Sequence, residues 1–484
     1  MLFNSLAYLL FLPLATVVLY LVPGRYQWLW LLACSMFFYY TLLPLFLPVF
    51  LVLILVNFYF GLLIRKSLKK QRVFNKALVV NLVILAIFKY TGTLDSLFMA
   101  LHSSREPDIF RQIILPVGMS YFIFTILSYL IELKRGNVPA EEHLGVFASA
   151  LLFFPKIMQG PIERPGGIFH QFREARQFDY AGVTEGLKLM LSGYFKKLVV
   201  ADRLAIYVNA VYGNSSMQSG PSLTLATFFY AVQIYADFSG YTDIALGSAR
   251  IMGFRIQNNF NRPYLAVSVK DFWARWHISL STWLRDYLFL PLAFFFSRKW
   301  KKMKYLGVAT EKWIFFFASM ITFGICGIWH GVGLTYLAWG ILMGFYLSYA
   351  NFTAGLKKRL RQKFNISKKS PPFIAYNIII TFLLVSFAFI FFRADSLKES
   401  FSIIHKILAG QGKLFIGEQD NFLYSVLAVI LMAAADLRHE FFEGRYMLMH
   451  NKHLAIRFAT YVISITYIGL LGVLDGGQFL YFKF

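Results

Sequence analysis

His330 stands in ITFGICGIWHGVGLTYLAWG, Ile321–Gly340, a stretch otherwise almost free of ionisable groups. The stretch is long and apolar enough to cross a bilayer. An ionisable side chain at that depth is costly to hold, so its presence is a functional signal. The plain alternative is a histidine hydrogen-bonded to a neighbouring helix. A neutral imidazole accepts a proton near physiological pH, which suits proton abstraction, proton relay or metal binding. His277, in ARWHISLS, is the second candidate, 53 residues earlier. Each histidine follows a tryptophan, Trp276 or Trp329, and Gly331 follows His330. Glycine lets a substrate or a helix approach closely. Tryptophan supplies a rigid apolar wall with one hydrogen-bond donor. Metal binding is not expected. There is no HExxH spacing, and His102, His143, His170, His405, His439, His450 and His453 are scattered.

No nucleophile elbow, P-loop or dinucleotide fingerprint accompanies these histidines. What remains is a histidine base without an obvious protein nucleophile. That chemistry suits transfer between two bound substrates, in which a base takes the proton of a hydroxyl that attacks an activated acyl group. A reading of another class is a proton-coupled transporter with both histidines in a relay. Transporters often carry paired halves with broken helices, and no such pairing is visible. Two further polar clusters stand out. YADFSGYTD carries Asp237 and Asp243 within an apolar run. A buried carboxylate needs a partner, and Arg275 or Arg285 is the expected one. FFPKIMQGPIERP, Phe153–Pro165, is broken by Pro155, Gly160 and Pro161 and is expected to form a cavity-lining loop.

These residues must be held by membrane helices. The chain has 484 residues, 58% of them hydrophobic, against about 45–50% in soluble domains. Runs beyond about 18 apolar residues recur. The expected fold is all-α, a polytopic integral membrane protein of about 11–13 segments. The clearest lie near 5–22, 28–41, 45–64, 77–92, 113–133, 222–247, 311–330, 334–350, 374–392, 422–436 and 455–473. Segments near 145–160 and 184–212, interrupted by Pro, Gly or Lys, are expected to be tilted or re-entrant. Short loops favour one integral domain, 1–484, with N-terminal helices at 1–110, a motif-bearing core at 110–400 and C-terminal helices at 401–484. The run Leu6–Val22 lacks a basic flank and a cleavage site, so it reads as an uncleaved helix.

The net charge of +24 is concentrated in clusters: six basic residues in Arg65–Lys76, five in Arg298–Lys304 and seven in Lys357–Lys369. The positive-inside rule puts these loops in the cytoplasm, where they attract anionic lipid. Nucleic acid is not an expected partner, since membrane segments split the clusters. Cys34 and Cys326 lie in apolar runs and give no disulfide framework.

Between 255 and 310 the composition mixes Trp, Arg, Asp and His. Ser268 is placed to cap a helix, with Asp271 completing a capping box. Trp273, Trp276, Leu280 and Trp283 then share one face, with Lys270, Arg275 and Asp286 elsewhere. An interfacial amphipathic helix is the expectation.

Six blocks carry a resemblance. They are LPVGMSYFIFTILSYLIELKRG (Leu115–Gly136), FFPKIMQGPIERP, YADFSGYTDIALGSARIMGF (Tyr235–Phe254), NFNRPYLAVSVKDFWARWHISLSTWLRDYLFLPL (Asn259–Leu292), GIWHGVGLTYLAWG (Gly327–Gly340) and FFRADSL (Phe391–Leu397). The chain resembles the membrane-bound O-acyltransferase superfamily, in the bacterial branch that esterifies alginate and D-alanylates teichoic acid. The resemblance implies helices around a central funnel or tunnel, with His330 and His277 as the catalytic pair. Trp276, Trp329, Gly331, Arg275 and Asp286 are expected to line the substrate cavity. It further implies acetyl-CoA or another acyl thioester as donor on the cytoplasmic side, with no bound cofactor. The acceptor would be an exported or cell-surface polysaccharide, and an extracytoplasmic acyltransferase would act as partner. The location would be the cytoplasmic (inner) membrane. D-alanyl transfer from a carrier protein is the alternative. The chain departs from the alginate-type pattern at Gly333, Leu334 and Ala293–Trp300.

Overall fold

A computed structural model describes residues 1–102, 116, 118–442 and 448–473, with side chains in 91–102 left aside. The chain is all-α and crosses the membrane repeatedly. Among the described residues, six helices are long and apolar enough to span a bilayer: Pro44–Lys66, Lys70–Tyr90, Thr310–His330, Pro371–Arg393, Gln419–Phe441 and Leu454–Leu471. Further apolar helices run over Leu6–Leu21, Gln27–Leu42, Met119–Arg135, Gly220–Ile251 and Leu334–Lys363. The start of the segment expected near 113–133 lies outside the described residues. Of the two irregular segments, the one near 145–160 is broken and the one near 184–212 is helical throughout. Helix Leu144–Leu152 stops before the short turn Phe154–Ile157, and Tyr180–Tyr194 passes through a π-helical stretch, Phe195–Ala201, into Asp202–Tyr212.

The chain forms two compact units, 1–194 with 241–258, and 195–240 with 259–484. In the first, polar groups tie apolar helices together. Asn57 and Asn81, both fully buried, exchange side-chain amide hydrogen bonds at 3.1 and 2.7 Å between two adjoining helices. Tyr8 donates to Ser248 at 2.6 Å. With no competing water, such bonds pin helix against helix. The Phe153–Pro165 segment is buried, and Lys156 and Pro161 line a small cavity with Tyr121 and Thr125. This matches the cavity-lining expectation.

The second unit is centred on a helical hairpin, Thr310–His330 and Leu334–Lys363. Glycines let its arms touch. A Cβ on Gly340 would overlap the Phe323 carbonyl, and one on Gly327 would overlap that of Tyr336. Ahead of the hairpin, the basic run ends in a two-stranded antiparallel ribbon, Lys304–Tyr305 with Val308–Ala309. Leu306 and Gly307 make its turn at φ +50° and +72°. Helix Leu454–Leu471 has no buried residue. Phe458, Ile463 and Leu470 are left on its outer surface, where acyl chains of the bilayer would cover them.

Candidate active site

His330 is the last residue of helix Thr310–His330. The apolar stretch Ile321–Gly340 is therefore not one span. It divides into a helix end, a three-residue turn and the start of helix Leu334–Lys363. The division follows from Gly331 and Gly333, which hold extended backbone at the turn. Both arms of the hairpin lead back to basic runs, 298–304 and 357–369, which the positive-inside rule assigns to the cytoplasm. His330 thus closes the far end, about 30 Å of helix away from the basic end at 1.5 Å per residue.

The imidazole of His330 is 6% exposed. Aromatic rings surround it: Trp329 at 4.7 Å, Phe392 at 5.0 Å and Trp339 edge-on at 5.1 Å, centroid to centroid. Gly331 is needed for packing here, because a Cβ would strike the Tyr336 ring. Tyr336 in turn packs on Phe392 at 5.1 Å.

The block holding His277 departs from the single amphipathic helix expected. Ser268 does cap a helix, accepting from the Asp271 backbone at 3.1 Å. The reciprocal arm of the box lands one residue early, with Asp271 accepting from Val267 N at 3.0 Å. That helix, Val269–Arg275, then stops, and a second begins at Ile278. The break is His277 itself, with φ +42° and ψ +54°. Left-handed backbone is unfavourable for a residue with a Cβ, and such residues concentrate at functional sites. Neighbouring chain over-determines it. Asn259 O accepts from Ile278 N at 2.9 Å, and Asn259 Oδ1 accepts from the Ser279 hydroxyl at 2.6 Å. His277 is 1% exposed, and its ring meets Phe238 edge-on at 4.7 Å. Burial pushes its imidazole down to about 3, so it is neutral at physiological pH.

Both histidines belong to one aromatic packing. From His277 the rings run through Phe238, Phe260 and Trp276, then Phe389 and Phe392, to His330, each step at a centroid distance of 4.7–6.1 Å. Trp276 is a member of this packing, and Trp329 lies against the His330 ring. Arg275 and Asp286 are both engaged in ion pairs. Arg275 is held by Asp271 and Glu440, each at 2.9 Å, and Asp286 pairs with Arg285 at 2.8 Å on a more exposed surface.

Asp237 has a different partner from the expected Arg275 or Arg285. Lys197 Nζ donates to Asp237 Oδ1 at 2.7 Å and reaches Asp202 Oδ1 at 2.9 Å. Lys197 and Asp237 are 1% and 2% exposed. Lysine side chains in an otherwise apolar run, FKKLVVA, are the sequence signal that could have found it. The site itself offers a buried imidazole at His330, a second buried imidazole at His277 and aromatic walls. Such a place can take a hydroxyl proton while excluding water from an acyl group.

Comparison with known proteins gives the same direction. The pattern of MBOAT, the membrane-bound O-acyltransferase family, matches residues 149–392. The chain is 35% identical over 404 residues to the probable alginate O-acetylase AlgI of Pseudomonas putida, covering 82% of this chain and 78% of that protein. It is 28% identical over 417 residues to the peptidoglycan O-acetyltransferase of Helicobacter pylori, covering 79% and 74%. It is 29% identical over 288 residues to the teichoic acid D-alanyltransferase of Bacillus subtilis, covering 57% and 68%.

Proposed function

Because the chain belongs to the membrane-bound O-acyltransferase family, we propose that this O-acyltransferase moves an acetyl group from acetyl-CoA toward hydroxyls of an exported or cell-surface polysaccharide. Family membership sets aside the transporter reading. The observation that carries the proposal is the pair of buried imidazoles on one aromatic packing, His277 and His330, both within the matched segment. The acetyl group is favoured because relatives named for acetyl transfer match across about four fifths of the chain.

In this reading His330 is the general base. It takes the hydroxyl proton as the oxygen attacks the thioester, and returns it to the departing thiolate. His277, neutral and rigidly held, positions substrate or passes the proton on. Trp276, Trp329 and Gly331 shape the space. Donor reaches the site from the cytoplasmic ends of the hairpin, and an extracytoplasmic acyltransferase partner completes glycan esterification. The cell would place the protein in its cytoplasmic (inner) membrane. The second reading keeps the fold and moves D-alanine from a carrier protein, as the name of the Bacillus subtilis relative indicates for that protein.

The test is mass spectrometry of ester-linked groups on surface glycans from cells carrying wild type, a deletion or His330→Ala at equal protein level. Acetyl should disappear in both altered strains, since loss of a general base costs about 10²–10⁴-fold. Loss of D-alanine instead selects the carrier-dependent reading. Normal acetylation by a stably inserted His330→Ala protein would remove His330 from the chemistry.

A further inference from the structure

Two buried indole N–H groups, one on a ring against His330 and one on the ring packed behind it, have no acceptor among the described residues. Nε1 of Trp273 and Nε1 of Trp339 are both shielded from solvent and lack a hydrogen-bond partner among the described residues. Trp339 is 2% exposed and Trp273 9%. Their rings meet at 6.0 Å, and Trp339 is the ring that stands edge-on to His330. An indole N–H can only donate. Leaving one unmet in a dry interior is costly, so an orphaned buried donor points to a partner that arrives. Thr322 repeats the pattern on the His330 helix, two turns earlier and on the same face. Its hydroxyl also lacks a partner among the described residues, although a helical threonine commonly bonds back to the preceding turn. The unmet polarity therefore continues down the hairpin toward its basic end.

We propose that Trp273 and Trp339 bind the carbonyl oxygen of the acyl thioester and hold it through the reaction. The inference rests on the acyl-transfer reading above. The chemistry fits donor-only groups. The acceptor hydroxyl oxygen forms a bond to the thioester carbon as His330 takes its proton. The carbonyl π pair moves onto oxygen, giving a tetrahedral oxyanion that receives both indole N–H bonds. Collapse restores C=O and breaks C–S. Sulfur leaves with the bonding pair and takes the proton from His330, so ester and thiol are the products. Donors fixed before the charge develops act at no reorganisation cost, and removing one such donor typically costs about 10²–10³-fold in kcat.

The experiment compares purified wild type with Trp339→Phe and Trp273→Phe. A second form of each replaces the indole by 3-benzothienylalanine, which keeps the ring shape and has sulfur where the N–H was. Each protein is assayed with acetyl-CoA and with its dithioester analogue, whose C=S is a poor hydrogen-bond acceptor. Wild type should strongly prefer acetyl-CoA, the thioester that carries a carbonyl oxygen. The preference in kcat/KM should fall about 10²-fold in each protein lacking an indole N–H, mainly through kcat. A purely structural tryptophan would lower both substrates together and leave the ratio unchanged, which overturns the proposal. Full activity of both benzothienyl proteins on acetyl-CoA would overturn it too. Failure of the reading beneath it looks different: wild type itself would be inert with acetyl-CoA and with a D-alanyl carrier-protein thioester, and both conclusions would fall.

Discussion

Lys197 donates to Asp237 at 2.7 Å with both side chains almost completely withdrawn from solvent. Asp202 completes the group at 2.9 Å from the same ammonium. One cation thus holds two carboxylates, on helices Asp202–Tyr212 and Gly220–Ile251, at the end of a π-helical stretch. Removing one member of a buried pair leaves an uncompensated charge and costs about 3–5 kcal/mol. Lys197→Met should therefore lower the unfolding midpoint of detergent-solubilised protein sharply, and by more than Asp237→Asn. The double variant Lys197→Met/Asp237→Asn should recover part of the loss. A Lys197→Met protein as stable as wild type would show that the group is not a structural clamp.

The left-handed backbone at His277 separates its backbone role from its side-chain role. A residue with a Cβ costs about 1–2 kcal/mol in that conformation and glycine does not. His277→Gly should be more stable than His277→Ala by about 1 kcal/mol, while both lose most transfer activity. Equal stability would mean that the chain relaxes out of the left-handed turn.

Burial also gives His277 a pH signature. Its imidazole is pushed from an ordinary 6.5 down to about 3. Between those values the unfolded chain binds a proton that the native protein does not. Stability at this residue is therefore full above about 6.5 and falls as pH drops toward 3. The difference in unfolding midpoint between pH 7 and pH 4.5 should shrink in His277→Asn. An unchanged difference would place the acid sensitivity in other groups.

Glycine packing in the hairpin sets the position of His330. Gly340→Ala would drive a methyl group into the Phe323 carbonyl, an overpacking cost of about 1–3 kcal/mol. Because Trp339 is the neighbouring residue, transfer should fall further than stability alone explains. Gly355 lies in the same helix with open space at its Cβ. Gly355→Ala should be neutral or slightly stabilising, which controls for helix propensity. Equal effects of the two changes, by thermal unfolding and activity, would remove the packing argument.

Local features were legible in the sequence where physics is local. Ser268 was expected to cap a helix, and it does, since a cap needs only the next three residues. The interruption near 145–160 is real, because Pro155 and Gly160 break a helix locally, while the chain near 184–212 stays helical through a π-helical stretch. The tryptophan face over 273–283 reads as one helix in the sequence, because periodicity cannot register a single left-handed residue held by Asn259 from outside the segment. Arg275 was assigned to the cavity, yet Asp271 and Glu440 hold it, and Glu440 is 165 residues away.

Read alone, the sequence reaches the membrane-spanning class and singles out His277 and His330 as candidates. Apolar length and residue type are enough to settle those. Tertiary structure alone decided that Lys197, not an arginine, neutralises Asp237, that one aromatic packing joins His277 to His330, and that Trp273 and Trp339 are left with unmet donors. Each depends on side chains brought together from distant parts of the chain, where close packing and exclusion of water choose the partner and local pattern has no say.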